Sequence, residues 1–160
     1  MSDHPLASRM STQRQFEGEG VCCTSFETAF LRTRTAAPEE IDELGHVNNV
    51  VYLRWVQDIA ITHWHTVSPP QQIESDVWVA LKHTIEYRDP ILPGETAEIR
   101  TWLGRVHGPR FDRHVDIRKP GAKRFSARAT TEWCRVDTAT RRPKRVGDDV
   151  LETFGLNGLL

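Results

Sequence analysis

NVVYLRWVQDIAITHWHT, residues 49–66, contains neither glycine nor proline, and its clearly polar positions Arg54, Asp58, Thr62 and His65 recur every three to four residues. That spacing predicts an α-helix, apolar over most of its circumference and so expected to be buried at the centre of a fold. Ser68-Pro69-Pro70 ends it. Beyond Pro70 the period changes to two. Val77, Val79, Leu81, His83, Ile85 and Tyr87 share one expected face, with Trp78, Lys82, Glu86 and Arg88 opposite. Ala97 to Leu103, Phe111 to Ile117 and Phe125 to Trp133 continue as further strands. The punctuation at Asp89-Pro90, Pro93-Gly94, Gly108-Pro109 and Pro120-Gly121 predicts short turns and an antiparallel meander. Upstream, Val21 to Arg34 has β-type composition, with Phe26 and Phe30 spaced for one face. The expected architecture is therefore α+β: a strand, one long helix, then four strands in a sheet that wraps the helix.

The 160 residues suffice for one domain, expected over 21–160 behind a polar, unperiodic leader at residues 1–20. The longest unbroken apolar run, Val77 to Leu81, is five residues, far short of the roughly 20 a membrane-spanning helix needs. A soluble, cytoplasmic protein without membrane partners is expected. Cys22, Cys23 and Cys134 give neither a disulfide framework nor zinc spacing and are expected to be reduced. His63 and His65 lie two apart on the helix and point in different directions, so no metal site is expected. The net charge of −1 hides an asymmetry: residues 1–99 carry 7 basic and 15 acidic side chains, residues 100–146 carry 14 and 4. Seventeen of the 21 basic residues are arginine, whose planar fork suits phosphate and carboxylate. These charges interleave with strand residues and no nucleic-acid-reading motif accompanies them, so a nucleic-acid partner is not expected.

The chemistry-bearing segment is Asp42-Glu43-Leu44-Gly45-His46-Val47-Asn48-Asn49, an irregular stretch leading into the helix. A carboxylate and an imidazole four residues apart precede a helix N-terminus whose first N–H groups lack intrahelical partners. Such a set can serve acyl transfer, the carboxylate as nucleophile or base and the amides as oxyanion donors. The same residue types also suit a plain loop, with Asp42 in a turn, Gly45 at positive φ and Asn48 as helix cap.

The longer string Asp42-x-x-Gly45-His46-Val47-Asn48-Asn49-x-x-Tyr52-x-x-Trp55 resembles the signature of hotdog-fold thioesterases, the family of 4-hydroxybenzoyl-CoA and acyl-ACP thioesterases. The likeness runs from about Ser25 to Val150 through Tyr87-Arg88-Asp89-Pro90 and Trp133-Cys134-Arg135. It implies a hotdog fold, an antiparallel sheet of five to six strands around one long central helix, assembled as homodimer or homotetramer. It implies hydrolysis of an acyl thioester without a cofactor, on coenzyme A or possibly acyl-carrier protein. Asp42 matches the catalytic carboxylate and His46 the histidine that moves a proton or positions water, while amides at Asn48 and Asn49 would hold the thioester oxygen. Leu44 stands where the acyl-ACP branch has asparagine, and no cysteine lies near Asp89-Pro90, which favours the CoA branch. Tyr52 and His83 are candidate substrate contacts, and Arg141, Arg142 and Lys144 candidate contacts for coenzyme A phosphates. Two other functions suit the same resemblance: a 3-hydroxyacyl dehydratase or enoyl hydratase, whose Gly-His-Phe-Pro-Gly type segment is absent here, and a non-catalytic acyl-thioester-binding module.

Overall fold

A computed structural model describes residues 23–156. The leader expected at residues 1–20 lies outside them, as do Val21 and Cys22 at the start of the first expected strand. The described chain runs β1 (Phe30–Thr35), a 3-10 turn (Pro38–Glu40), α1 (Asn49–Val67), α2 (Pro70–Ser75), β2 (Asp76–Tyr87), β3 (Thr96–His107), β4 (Arg110–Arg118), β5 (Ala127–Asp137) and α3 (Asp148–Thr153). All five strands are antiparallel, in the order β1-β3-β4-β5-β2. This is the hotdog arrangement: one long helix packed on one sheet.

β1 begins at Phe30, later than the sequence pattern suggests. The Thr28 hydroxyl accepts the N–H groups of Thr24 and Ser25, closing a local turn that competes with strand pairing. Only β3, β4 and β5 form a meander. β2 pairs with β5 at the far edge, so residues 88–95 cross the sheet instead of making a hairpin. Ile91 explains why. Its side chain is fully buried in the core, its N–H donates to the Tyr52 hydroxyl at 3.0 Å, and its carbonyl accepts the Val47 N–H at 2.9 Å. The crossover is thereby fastened to the start of α1.

The face assigned to β2 from its alternation holds only beyond Leu81. Ala80 pairs with Trp133 and Lys82 with Glu132, so Leu81 is an extra residue on the strand. Such a bulge exchanges the two faces. Trp78 and Ala80 point to the core before it and Ile85 after it, while Val77, Val79 and Leu81 are 44%, 46% and 51% exposed. α1 is also less enclosed than expected. Val51, Tyr52, Trp55, Val56, Ile59, Ala60, His63 and Trp64 are buried, whereas Val50, Gln57, Ile61 and His65 on the other face are exposed.

Two apolar clusters hold the layers together. One joins the first half of α1 to Ile91, Ile99, Val115 and Ile117. The other joins its second half to Phe111, Trp133 and α3 through Val150, Leu151 and Phe154. Strand β3 runs on through Gly104, which alternation alone reads as a break; a side chain there would collide with the His114 imidazole.

Candidate active site

The segment from Asp42 to Asn49 is folded by its own polar atoms. Asp42 Oδ1 accepts the N–H groups of Leu44 at 2.9 Å and His46 at 3.3 Å, and the Asp42 N–H donates to the His46 carbonyl at 2.8 Å. The reversal needs positive φ at one residue, and Gly45 supplies it at +76°. Ile41 then bridges Val47, and the Asn48 N–H donates to the Glu40 carbonyl at 3.0 Å. Glu40 anchors the assembly from below, its carboxylate accepting from the Ala37 N–H, Arg34 and the Trp55 indole. Burial pushes the Glu40 pKa up, but the Ala37 N–H and the Arg34 charge outweigh it, so the group stays ionised.

Asn48 is the N-cap of α1, as its residue type allows, and its Oδ1 accepts the Val50 N–H at 2.9 Å. The cap separates two amides that the sequence could not tell apart. The N–H groups of Asn48 and Val50 are engaged, whereas that of Asn49 has no hydrogen-bond partner among the described residues. Asp42 Oδ2 likewise has none. Both residues line one recess of about 460 Å3, together with His46, Tyr52 and Tyr87. A carboxylate oxygen and a helix-terminal donor thus share one space, the geometry needed to activate water or attack a carbonyl while holding the oxygen that becomes anionic.

Several lining residues come from elsewhere in the chain. The Tyr87 hydroxyl donates to the Asn49 carbonyl at 3.0 Å, fixing the first peptide of α1. Burial raises the pKa of both Tyr52 and Tyr87, so both phenols stay protonated at neutral pH. Ser126 also lines the recess, and among the described residues its buried hydroxyl has no hydrogen-bond partner. Tyr87 ends β2 and opens the Tyr87-Arg88-Asp89-Pro90 string, whereas no local pattern marks Ser126, which stands just before β5 and far from Asp42 in sequence.

The other candidates lie apart. His83 hydrogen-bonds with the Thr131 hydroxyl at 2.8 Å across the β2–β5 ladder and does not line the recess. Lys144 donates to Asp76 at 3.0 Å and belongs to a buried ion network with Arg135. Arg141 and Arg142 are exposed just beyond Asp137. Tyr87 pairs with Ala127 but Asp76 with Asp137, so the basic run sits at the opposite end of the sheet from Asp42, roughly 33 Å away at ~3.3 Å per residue. Within one chain these cations do not meet the recess.

The family model of the thioesterase-like superfamily matches residues 36–154, spanning the Asp42 loop, α1 and strands β2 to β5. The chain belongs to the thioesterase-like superfamily. It is accordingly a thioester hydrolase of hotdog fold. Similar solved structures include the 1,4-dihydroxy-2-naphthoyl-CoA thioesterase Slr0204 from Synechocystis, at 15% identity over 79% of this chain and 95% of that one, TM-score 0.68. The probable thioesterase YbaW from Escherichia coli is 18% identical over 79% and 96%, TM-score 0.68. A thioesterase complexed with coenzyme A and Zn from Thermus thermophilus is 18% identical over 78% and 90%, TM-score 0.67. No curated protein matches the chain. Among the described residues of this superfamily member, no helix is long and apolar enough to cross a membrane.

Proposed function

We propose that the chain hydrolyses acyl-CoA to a free acid and coenzyme A at the Asp42 recess. The observation that carries this reading is the pairing of an unengaged carboxylate oxygen of Asp42 with an unengaged Asn49 N–H in one recess. The thioester carbonyl oxygen sits on the Asn49 N–H, strengthened by the positive end of α1. Asp42 takes a proton from water as its oxygen bonds to the carbonyl carbon, or attacks that carbon itself and is released by water. The tetrahedral centre collapses and the C–S bond breaks, and the departing sulfur receives the proton that the water gives up, through Asp42 when water attacks directly or on hydrolysis of the anhydride when Asp42 attacks first. His46, lining the same recess, orients the water or relays that proton. The coenzyme A held by the Thermus thermophilus thioesterase supports the choice of carrier.

Asn49→Pro tests the oxyanion donor without touching a side chain of the mechanism. Proline suits the first position of a helix, where its missing N–H breaks no helical bond. Asn48, at φ −61° and ψ 140°, already has the extended backbone a following proline requires. The expected result is a fall of about 10²–10³-fold in kcat, read by thiol release, with an unchanged melting curve. A folded variant that keeps the wild-type rate removes the Asn49 amide from the mechanism.

A homodimer completes this reading. β2 is an edge strand, and its outward Val77, Val79 and Leu81 are exposed apolar side chains along it. Antiparallel pairing of two β2 edges would set the Asp76 end of one copy beside the Tyr87 end of the other, bringing the partner's basic run toward the recess. Light scattering of the wild type should give twice the chain mass, and Val79→Lys should give a monomer with raised KM for acyl-CoA. A monomeric wild type that is fully active overturns the arrangement.

A further inference from the structure

A second cavity, of about 310 Å3, lies between the C-terminal half of α1 and the sheet, walled by Trp64, Trp78, Phe111 and Trp133. Arg113 on β4 lines it and is 2% exposed. Arginine is almost never fully buried unless paired, and its usual partner is a carboxylate or phosphate. The hydrogen-bond partners of Arg113 are neutral. Nη1 donates to His63 Nδ1 at 3.0 Å and to the Thr101 hydroxyl at 3.2 Å, and among the described residues Nε and Nη2 have no partner.

His63 is no counter-ion. Burial, and then the charges of Arg113 and Arg32, hold its pKa down to about 2, so it accepts at Nδ1 as a neutral ring. Asp76 also lines the cavity, but Arg135 and Lys144 take up its carboxylate. The Phe111 and Phe154 rings, 5.5 and 5.3 Å from the guanidinium carbon, offer the cation π-faces but no acceptor. Among the described residues, the buried indole N–H groups of Trp78 and Trp133, two of the walls, have no hydrogen-bond partner either. The Cys23 thiol is the acidic group whose charge bears on Arg113, and no carboxylate of the described residues pairs with that guanidinium, so the cavity combines aromatic walls and an excess of donors with a cation that lacks a carboxylate partner. Burial brings Arg113 down to about 10, which leaves it a cation at neutral pH.

We propose that this cavity binds a carboxylate carried on an apolar body, the two oxygens meeting Nε and Nη2 of Arg113 and the body packing between the indoles. A carboxylate has the charge and the planar two-oxygen edge that match one guanidinium fork, whereas a phosphate dianion would need further cations. Two sources carry this chemistry. One is a free carboxylic acid. The other is the distal carboxylate of a dicarboxylic acyl group, and it rests on the proposed thioesterase reading. Along α1 the cavity and the Asn49 amide are roughly 20 Å apart at ~1.5 Å per residue, so that acyl group would arrive from a partner copy's recess.

Titration of the full chain with phenylacetate and with 2-phenylethanol, followed by tryptophan fluorescence, tests the site directly. Phenylacetate is expected to bind at least ~10-fold tighter, as a charge-assisted pair replaces a neutral contact. Arg113→Met should abolish the preference, and Arg113→Lys, with the charge but not the fork, should keep only part of it. Equal affinity for acid and alcohol in the wild type overturns the proposal, as does an undiminished preference in a folded Arg113→Met. The wild-type comparison needs no variant and stands even if Arg113→Met does not fold.

The source is then read from kinetics with adipoyl-CoA and its distal methyl ester. A higher kcat/KM for the free distal carboxylate, lost in Arg113→Met, assigns the site to the acyl group. Equal kcat/KM for the two, with phenylacetate altering the rate of the wild type but not of Arg113→Met, assigns it to a free acid. Because binding is measured without turnover, an inactive protein that still prefers phenylacetate would sink the thioesterase reading and leave this site standing.

Discussion

Asp42→Asn is expected to lower kcat for acyl-CoA hydrolysis by about 10²–10⁴-fold while leaving the melting curve where it was. Asparagine keeps the one oxygen the fold uses, since Oδ1 can still accept the N–H groups of Leu44 and His46. What it loses is the charge and basicity at Oδ2, the atom left for chemistry. Asp42→Ala removes both functions and should also loosen the loop, at about 0.5–1.5 kcal/mol for each of the two hydrogen bonds. The comparison separates catalysis from architecture. An Asn variant that turns over acyl-CoA at the wild-type rate in a thiol-release assay would remove Asp42 from the mechanism and with it the assigned site.

Asp76→Ala is expected to cost about 3–5 kcal/mol of stability, because it breaks a buried ion pair from one side. Asp76 and Arg135 are both almost wholly buried. Arg135 Nε donates to Asp76 Oδ2 at 2.9 Å, and Lys144 reaches the other carboxylate oxygen at 3.0 Å. Without Asp76 the buried guanidinium keeps only the Arg145 carbonyl and Asp149, whose side chain is 55% exposed. A chain of this size melts roughly 2–4 °C lower per kcal/mol lost, so calorimetry should show Tm about 6–20 °C lower. Asp149→Ala, which removes the exposed partner instead, should cost no more than about 1 kcal/mol. Equal melting of Asp76→Ala and wild type would mean the network contributes nothing to the fold.

The helix, the existence of all five strands and the Asp42–Asn49 loop could be read from local pattern, because each expresses itself within a few neighbouring residues. Residues 49–66 lack any breaker, and α1 spans Asn49–Val67. What escaped depended on long-range pairing. Alternation along β2 is continuous in the sequence, and nothing local shows that Leu81 is an unpaired extra residue that exchanges the faces. Asp89-Pro90 and Pro93-Gly94 look like a tight turn, yet the buried Ile91 between them makes the segment a crossover. α2 and α3 have six residues each, too few for a helical period to stand out. Arg113 was hidden by its company: in an arginine-rich stretch it resembles any solvated strand residue, and only burial distinguishes it. At the recess, the loop was visible as a motif, but which amide stays unengaged depends on the Asn48 side chain and the Glu40 carbonyl, and neither can be inferred from spacing.

The fastening of Ile91 to Val47 and Tyr52 bears on how this scaffold can diverge. The link at Gly108 closes a hairpin whose tip touches no part of the recess, so it can gain or lose residues with little consequence for the chemistry, whereas the β4–β5 link carries Ser126 into the recess lining. The stretch from Arg88 to Ile91 has no such licence. One added residue would displace the partner of Val47 and shift the start of α1, misplacing by ångströms a donor that works only at hydrogen-bond distance. New substrate preferences should therefore arise by exchanging side chains around a crossover of constant length, with changes in length confined to the β3–β4 hairpin tip.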